Sequence, residues 1–145
     1  MVSTKWFQGL NNLDNFLEIR KKVFCEELNM DEKYATDFYD EFAFNAVLYD
    51  DEKPAGTGRL LFKDGKYIID KLCVLNEYRG NAYGNLIIRM LVRKAVTIGA
   101  EKTYAEINKI NKPLFEKIGF IEVSSGENNK VLMMKTGDVG GHCCN

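Results

Sequence analysis

Residues 74–84 are Val74-Leu75-Asn76-Glu77-Tyr78-Arg79-Gly80-Asn81-Ala82-Tyr83-Gly84, and this stretch decides the fold. A strongly apolar segment, Tyr67 to Leu75, precedes the loop, and an amphipathic segment from about Asn85 to Ile98 follows it. These patterns predict a buried strand and a helix that ends at Gly99. A strand, a short loop and a helix in this order predict a parallel crossover.

The loop between this strand and helix has the properties of an anion site. Its small residues let backbone N–H groups approach a ligand closely. The helix start adds unpaired donors and partial positive charge, and Arg79 can bind phosphate oxygens by a fork of hydrogen bonds. On spacing alone, a phosphate site and an ordinary tight turn fit equally well. The loop lacks Gly-Lys-Ser/Thr and G-x-G-x-x-G, which excludes a P-loop and a dinucleotide fingerprint.

The segments around this crossover predict a mixed α/β domain. Upstream, a helix that begins at Asn11 or Asn12 is followed by an acidic and aromatic segment, 30–41, which favours a short helix or an ordered loop. Three segments joined by tight turns then predict an antiparallel meander: 44–49, 55–62 and 67–75. Downstream, the pattern predicts a strand, a short helix and a final hairpin: 103–107, 111–117, and 120–123 with 131–135. Residues 1–136 are expected to form one domain and 137–145 a tail without a core-building pattern.

Composition excludes several classes of function. The 145 residues include 20 basic and 21 acidic side chains, so no net field attracts nucleic acid or an anionic membrane. No signal-peptide pattern and no apolar run of about 18 residues is visible. Four cysteines fit neither a disulfide framework nor a zinc ribbon, and three adjacent ligands (His142, Cys143, Cys144) cannot easily converge on one metal ion. We expect a reduced, cytoplasmic protein without a metal.

Three motifs together resemble the GNAT superfamily of N-acetyltransferases over nearly the whole chain up to about Lys135. Residues 74–84 resemble its acetyl-CoA pyrophosphate loop, Gln/Arg-x-x-Gly-x-Gly/Ala, with Ala82 where the first glycine is usual. An alanine there is unstrained only if its φ is negative. A second motif of the superfamily is Asn-x-x-Ala-x-x-x-Tyr-Glu-Lys-Leu-Gly-Phe. It is resembled by Asn108, Phe115 and the following Glu116-Lys117-Ile118-Gly119-Phe120. Residues 19–27 resemble the Arg-x-x-Val-Phe-x-x-Glu opening of a small-molecule branch.

The resemblance implies a central, mostly antiparallel twisted sheet of six or seven strands flanked by about four helices. The strand 67–75 should part from 103–107, so that its backbone pairs with the pantetheine arm of acetyl-CoA. Asn108 would bond the pantetheine amide, or it only completes a turn. The implied cofactor-binding residues are Leu72, Cys73, Val74, Arg79, Gly80, Asn81, Ala82, Tyr83, Gly84, Asn85, Asn108 and Phe115.

The resemblance also implies transfer of an acetyl group from acetyl-CoA to a primary amine of a small molecule, by direct attack in a ternary complex. Glu27 and Asp70 are the candidate general bases, although Asp70 is also explained as a partner of a basic side chain. Phe115 occupies the position of a tyrosine acid and has no proton to donate. The alternative is a non-catalytic acyl-CoA-binding or sensor module, and a homodimer is compatible with either.

Two further side-chain groups have both a functional and a structural explanation. Cys73 beside the thioester suggests a nucleophile, but a cysteine on a buried strand is more often a small core residue. Asp37 and Asp40 suggest attraction of a cationic acceptor, but a solvated acidic loop is the simpler explanation and is preferred.

Overall fold

A seven-stranded, mostly antiparallel sheet forms the centre of the molecule, as expected for a mixed α/β domain. The computed structural model describes residues 1–10 and 13–140, so the predicted caps Asn11 and Asn12 lie outside the described residues. The strands are β1 (Val2–Gln8), β2 (Phe44–Asp50), β3 (Lys53–Lys63), β4 (Lys66–Val74), β5 (Lys102–Asn108), β6 (Ile121–Ser125) and β7 (Lys130–Thr136). Their order is β1-β2-β3-β4-β5-β7-β6, and β4–β5 is the parallel pair.

Three α-helices and a π-helical segment flank the sheet. They are α1 (Asp14–Arg20) with its π-helical continuation Lys21–Glu27, α2 (Tyr83–Thr97) and α3 (Lys112–Ile118). The acidic and aromatic segment after α1 forms two 3-10 turns, Glu32–Tyr34 and Phe38–Glu41, so the prediction of short ordered structure there is confirmed. In the described part of the chain, no helix has the length and hydropathy needed to cross a bilayer.

The two faces of the sheet bury different helices. A side chain added at Gly58 of β3 would meet Ile87 and Leu91 of α2. The next residue along the strand, Arg59, faces the opposite side and contacts the segment after α1. The α2 face carries the larger apolar core, and Phe16 and Ile19 of α1 pack on the other face. The meander therefore lies between α1 and α2, with its ends free to build a site.

Two features at the chain ends differ from the sequence-based expectation. β1 was not predicted, because six of its seven residues are exposed and only Phe7 is half-buried, so no alternation marks it. The segment after Thr136 has no core-building pattern in its sequence. Val139 is nevertheless buried in the main core, and the Gly137 N–H donates to the carbonyl of Glu101 at 3.0 Å.

Candidate active site

A slot opens between β4 and β5, the two parallel strands. Their ladder contains three residue pairs and ends at Ile69↔Ala105, although β4 continues to Val74 and β5 to Asn108. Beyond Ile69 the backbone of β4 faces this opening with its peptide groups. Main-chain groups of this kind can pair with an extended ligand. Leu72, Cys73 and Val74, which the family resemblance assigns to the pantetheine arm, lie on this part of β4.

A β-bulge makes the slot. Arg59 pairs with Asp70, but the next ladder pair joins Thr57 to Cys73, so Lys71 and Leu72 together oppose a single residue of β3. Lys71 has a φ of 49°, in the left-handed region that non-glycine residues avoid. Bulges bend a strand and increase its twist, which turns the end of β4 away from β5.

The predicted pyrophosphate loop lies at the mouth of this slot and leads into α2. Gly80 has a φ of 88°, and the loop ends at Ala82, the residue before the helix. The first intrahelical bond runs from the Leu86 N–H to the Ala82 carbonyl, so the N–H groups of residues 83–85 have no intrahelical partner. Three free donors and the positive end of a 15-residue helix can bind a pyrophosphate.

Ala82 carries the strain that its sequence position suggested. Its φ is 61° and its ψ 23°, which is left-handed backbone, so the condition for an unstrained alanine is not met. That conformation costs a non-glycine residue roughly 1–2 kcal/mol. Alanine is also a poor N-cap because its side chain accepts no hydrogen bond from the helix.

Ala82→Gly is expected to raise the free energy of unfolding by about 1 kcal/mol, because relief of strain exceeds the extra chain entropy of glycine. Urea denaturation measures the change. The matched control is Ala95→Gly inside α2, which should lower the free energy of unfolding by at least about 1 kcal/mol. Equal destabilisation by both variants would contradict the assignment of strain to Ala82.

Arg79 and Glu27, predicted to serve cofactor and catalysis respectively, form an ion pair with each other. The guanidinium donates from both terminal nitrogens to the two carboxylate oxygens of Glu27, with an Nη2–Oε1 distance of 2.7 Å. Its Nε donates to the carbonyl of Val74 at 3.0 Å. The hydrogen bond from Arg79 holds the pKa of Glu27 below its ordinary value. The pair therefore joins the end of the π-helical segment to the end of β4.

A groove of about 420 Å³ lies beside this ion pair. Two apolar side chains, three carboxylates, one lysine and one asparagine line the groove. The lining residues are Lys22, Val23, Glu26, Glu27, Leu75, Asn76 and Glu77. The groove is therefore acidic at the point where the segment after α1 meets the strand that forms the slot.

Asp70 is engaged by Arg59. The guanidinium donates from Nε to Oδ1 at 2.8 Å and from Nη2 to Oδ2 at 2.7 Å, so both oxygens of Asp70 are occupied. The sequence-based alternative of a basic partner thus describes its contacts. Asp40 is 1% exposed and accepts hydrogen bonds from Arg20 and Arg59. It is therefore neither solvated nor accessible to an acceptor substrate.

Three remaining predicted residues lie in or beside the core. Cys73 is 5% exposed, and burial raises the pKa of its thiol to about 12. Phe115 is fully buried, with its ring edge-on to Phe120 at 5.1 Å between centroids. The side-chain Oδ1 of Asn108 accepts from the N–H of Ile110 at 3.0 Å and caps the 3-10 turn after β5.

Arg20, Asn45 and Arg59 were not predicted as functional residues. All three are at most 1% exposed. Arg20 donates to Asn45 and to Asp40, and Arg59 donates to the same Asp40. Charged side chains are seldom fully buried, so a sequence pattern assigns them to the surface. The alternation of β3 is the signal that was available, because it places Arg59 on the same face of the sheet as Thr57, which is also buried.

The protein belongs to the acetyltransferase (GNAT) family, whose family model matches residues 12–120. Acyl transfer from an acyl-coenzyme A is the reaction class that this membership supports. The chain is 30% identical over 109 residues to the uncharacterized N-acetyltransferase YjcF of Bacillus subtilis, covering 75% of this chain and 78% of that protein.

Solved structures share the fold. An acyl-CoA N-acyltransferase from Pseudomonas aeruginosa superposes with a TM-score of 0.81 at 17% identity, over 94% of this chain and all of that one. The paia N-acetyltransferase of Thermoplasma acidophilum in complex with coenzyme A superposes with a TM-score of 0.71 at 13% identity, over 93% and 99%. These likenesses confirm the predicted architecture.

Proposed function

We propose that this protein transfers an acetyl group from acetyl-CoA to a primary amine of a small molecule, by direct attack in a ternary complex. The observation that carries the proposal is the opening of the sheet after Ile69↔Ala105, directly beside the loop that begins α2. A slot with free peptide groups next to free helix N–H groups fits a ligand with an extended amide arm and a pyrophosphate. Coenzyme A has both parts.

In this proposal, Arg79 and the backbone of residues 80–85 hold the pyrophosphate, and the backbone of residues 72–74 pairs with pantetheine. The side-chain Oδ1 of Asn108 is engaged in its turn, which leaves the side-chain Nδ2 to donate to a pantetheine carbonyl. An N–H near Val74 would stabilise the oxyanion of the tetrahedral intermediate. The coenzyme A complex of the Thermoplasma relative supports a cofactor of this kind.

Direct attack is supported by the state of Cys73. A covalent mechanism needs a thiolate, and a buried thiol with a pKa of about 12 is protonated at neutral pH. Without an activated nucleophile at this position, the acceptor amine attacks the thioester itself. Its nitrogen forms the new amide bond, the C–S bond breaks, and coenzyme A leaves as the thiol with the proton that the amine loses.

A protonated amine must lose a further proton before its nitrogen can attack, and we assign this deprotonation to Glu27, which returns the proton to solvent. In the structure Glu27 is paired with Arg79, which lowers its pKa and weakens it as a base. Binding of a pyrophosphate would compete for Arg79, release Glu27 and return its pKa towards the ordinary value. The acidic groove beside Glu27 would receive a protonated amine. Asp70, whose oxygens are both held by Arg59, is the weaker candidate.

Glu27→Gln is expected to lower kcat by about 10²-fold, the usual contribution of a general base. The affinity for acetyl-CoA should not fall, because the variant removes a competitor for Arg79. Steady-state kinetics with calorimetry measure both quantities. Glu26→Gln, a neighbouring groove residue, is the control and should retain kcat. An unchanged kcat for Glu27→Gln would remove Glu27 as the base.

A second function, a non-catalytic acyl-CoA-binding or sensor module, is favoured by one observation. Phe115 replaces the tyrosine acid that the resemblance implies, and its burial leaves no ring atom facing solvent. Such a module would bind acetyl-CoA without releasing coenzyme A in the presence of an amine. A homodimer is compatible with both functions.

Calorimetric titration with acetyl-CoA, followed by a coenzyme A release assay with a panel of primary amines, tests the proposal. Binding with amine-dependent release supports the enzyme. Binding without release for every amine would favour the sensor module, and the absence of binding would overturn both functions.

A further inference from the structure

A partly buried charge network lies between the segment after α1 and the bulge in β4, with Arg20, Arg59 and Asp40 buried and the other three members partly exposed. It contains three cations and three carboxylates, so its formal charge sums to zero. The members are Arg20, Arg59, Lys71, Asp37, Asp40 and Asp70. Burying such groups costs free energy that an apolar cluster of similar volume would not cost. Stability alone therefore does not account for the network. Its geometry suggests that it positions the backbone of β4.

Arg59 is the centre of this network. Its Nε and Nη2 hold both oxygens of Asp70, at 2.8 and 2.7 Å. Its Nη1 and Nη2 hold both oxygens of Asp37, with an Nη2–Oδ2 distance of 3.0 Å, and Nη1 also donates to Asp40 at 3.3 Å. These hydrogen bonds outweigh the desolvation that burial imposes, so the pKa of Arg59 lies above its ordinary value. One planar side chain thus fixes carboxylates on β4 and on the 3-10 turn after α1.

Asp70, which Arg59 holds, immediately precedes Lys71, the strained residue of the bulge. Lys71 has left-handed backbone, which persists only where the surroundings enforce it. On one side of Lys71, Arg59 holds Asp70 by two hydrogen bonds. On the other side the Lys71 ammonium donates to the Tyr34 carbonyl at 2.7 Å and lies 3.9 Å from Asp37. The network therefore contacts the bulge from both directions.

We infer that Arg59 is a positioning residue that holds the bulge of β4 and thereby keeps the pantetheine slot open. The inference rests on the proposed function, since it assigns that slot to the pantetheine arm. Lysine cannot replace arginine here, because a single ammonium group lacks the planar fork that holds two carboxylates at once. The pyrophosphate loop has no contact with Arg59 among the hydrogen bonds of the described residues, so its ligand should not depend on this side chain.

The test compares two ligands by calorimetry: coenzyme A, and adenosine 3′-phosphate 5′-diphosphate, which is coenzyme A without its pantetheine arm. We expect Arg59→Lys to weaken binding of coenzyme A by about tenfold, or about 1.4 kcal/mol. Affinity for the shorter ligand should equal that of the wild type, which also shows that the variant is folded. Asp70→Asn, which breaks the fork from the other side, should show the same selective loss. Arg93→Lys, an exposed arginine of α2, is the matched control and should bind both ligands normally.

Wild-type affinity of Arg59→Lys for coenzyme A would overturn the inference and leave the proposed function intact. Equal weakening of both ligands would also overturn it, because that result indicates a general structural role. If the wild type itself bound neither ligand, the proposed function would fail, and this inference with it.

Discussion

Gly84→Glu is expected to abolish binding of acetyl-CoA, with a loss of affinity above about 10³-fold, or about 4 kcal/mol. Gly84 lies in the first turn of α2, where the free N–H groups point towards the proposed pyrophosphate. A carboxylate at this point would accept those N–H donors itself and repel the phosphates. A Cβ added at Gly84 would also lie 3.2 Å from Leu114 of α3, so the new side chain has little room to turn away.

Gly126→Glu is the matched control, since it adds the same charge at a hairpin where an added Cβ makes only ordinary contacts. Calorimetry should give wild-type affinity for this control. Arg79→Ala should have an intermediate effect, because it removes one cation and leaves the helix N–H groups in place. Wild-type affinity of Gly84→Glu would show that the α2 N-terminus does not bind the donor.

Arg20→Met is expected to lower the free energy of unfolding by about 3–5 kcal/mol, the usual cost of breaking a buried ion pair. Arg20 is fully buried, and it donates to both oxygens of Asp40, at 2.9 and 3.1 Å, and to the Ala35 carbonyl. Methionine fills a similar volume but leaves Asp40 with Arg59 at 3.3 Å as its remaining cation. The network then holds one carboxylate in excess.

Urea denaturation measures this loss, and Lys22→Met is the control. Lys22 is half exposed and pairs with Glu18 on the surface, so its replacement should change the free energy of unfolding by less than about 0.5 kcal/mol. The double variant Arg20→Met, Asp40→Leu removes the unpaired charge and should recover part of the loss. A cost below about 1 kcal/mol for Arg20→Met alone would contradict the buried-charge account.

Local patterns were sufficient to predict the centre of the fold. The meander, the crossover and the helix 83–97 each carry apolar periodicity and turn residues within one short segment. β1 has no such pattern, because its pairing with β2 leaves both of its faces largely exposed. The left-handed backbone of Ala82 also has no local cause in its side chain. It follows from the geometry that the loop needs to join β4 to α2.

Only the part of the site that is formed by the backbone was predictable from the sequence. Loop composition identified residues 79–84 as a possible anion site, because glycines and a helix start act through the main chain. The partners of the side chains were not predictable. Glu27 and Arg79 are 52 residues apart, and Asp37 and Arg59 are 22 apart, so each pair is brought together only by the completed fold.

The π-helical segment Lys21–Glu27 has an evolutionary consequence. A π-helical turn contains more residues than an α-helical turn, so an extra residue fits into the helix without interrupting it. Deleting one residue there would let the segment close as ordinary α-helix, with i→i+4 hydrogen bonds in place of i→i+5 bonds, so that the residues beyond the deletion keep their orientation. Glu27 would then still face Arg79, and β4, its bulge and the start of α2 would keep their sequence. The segment is therefore a place where a single-codon deletion preserves the pair between Glu27 and Arg79.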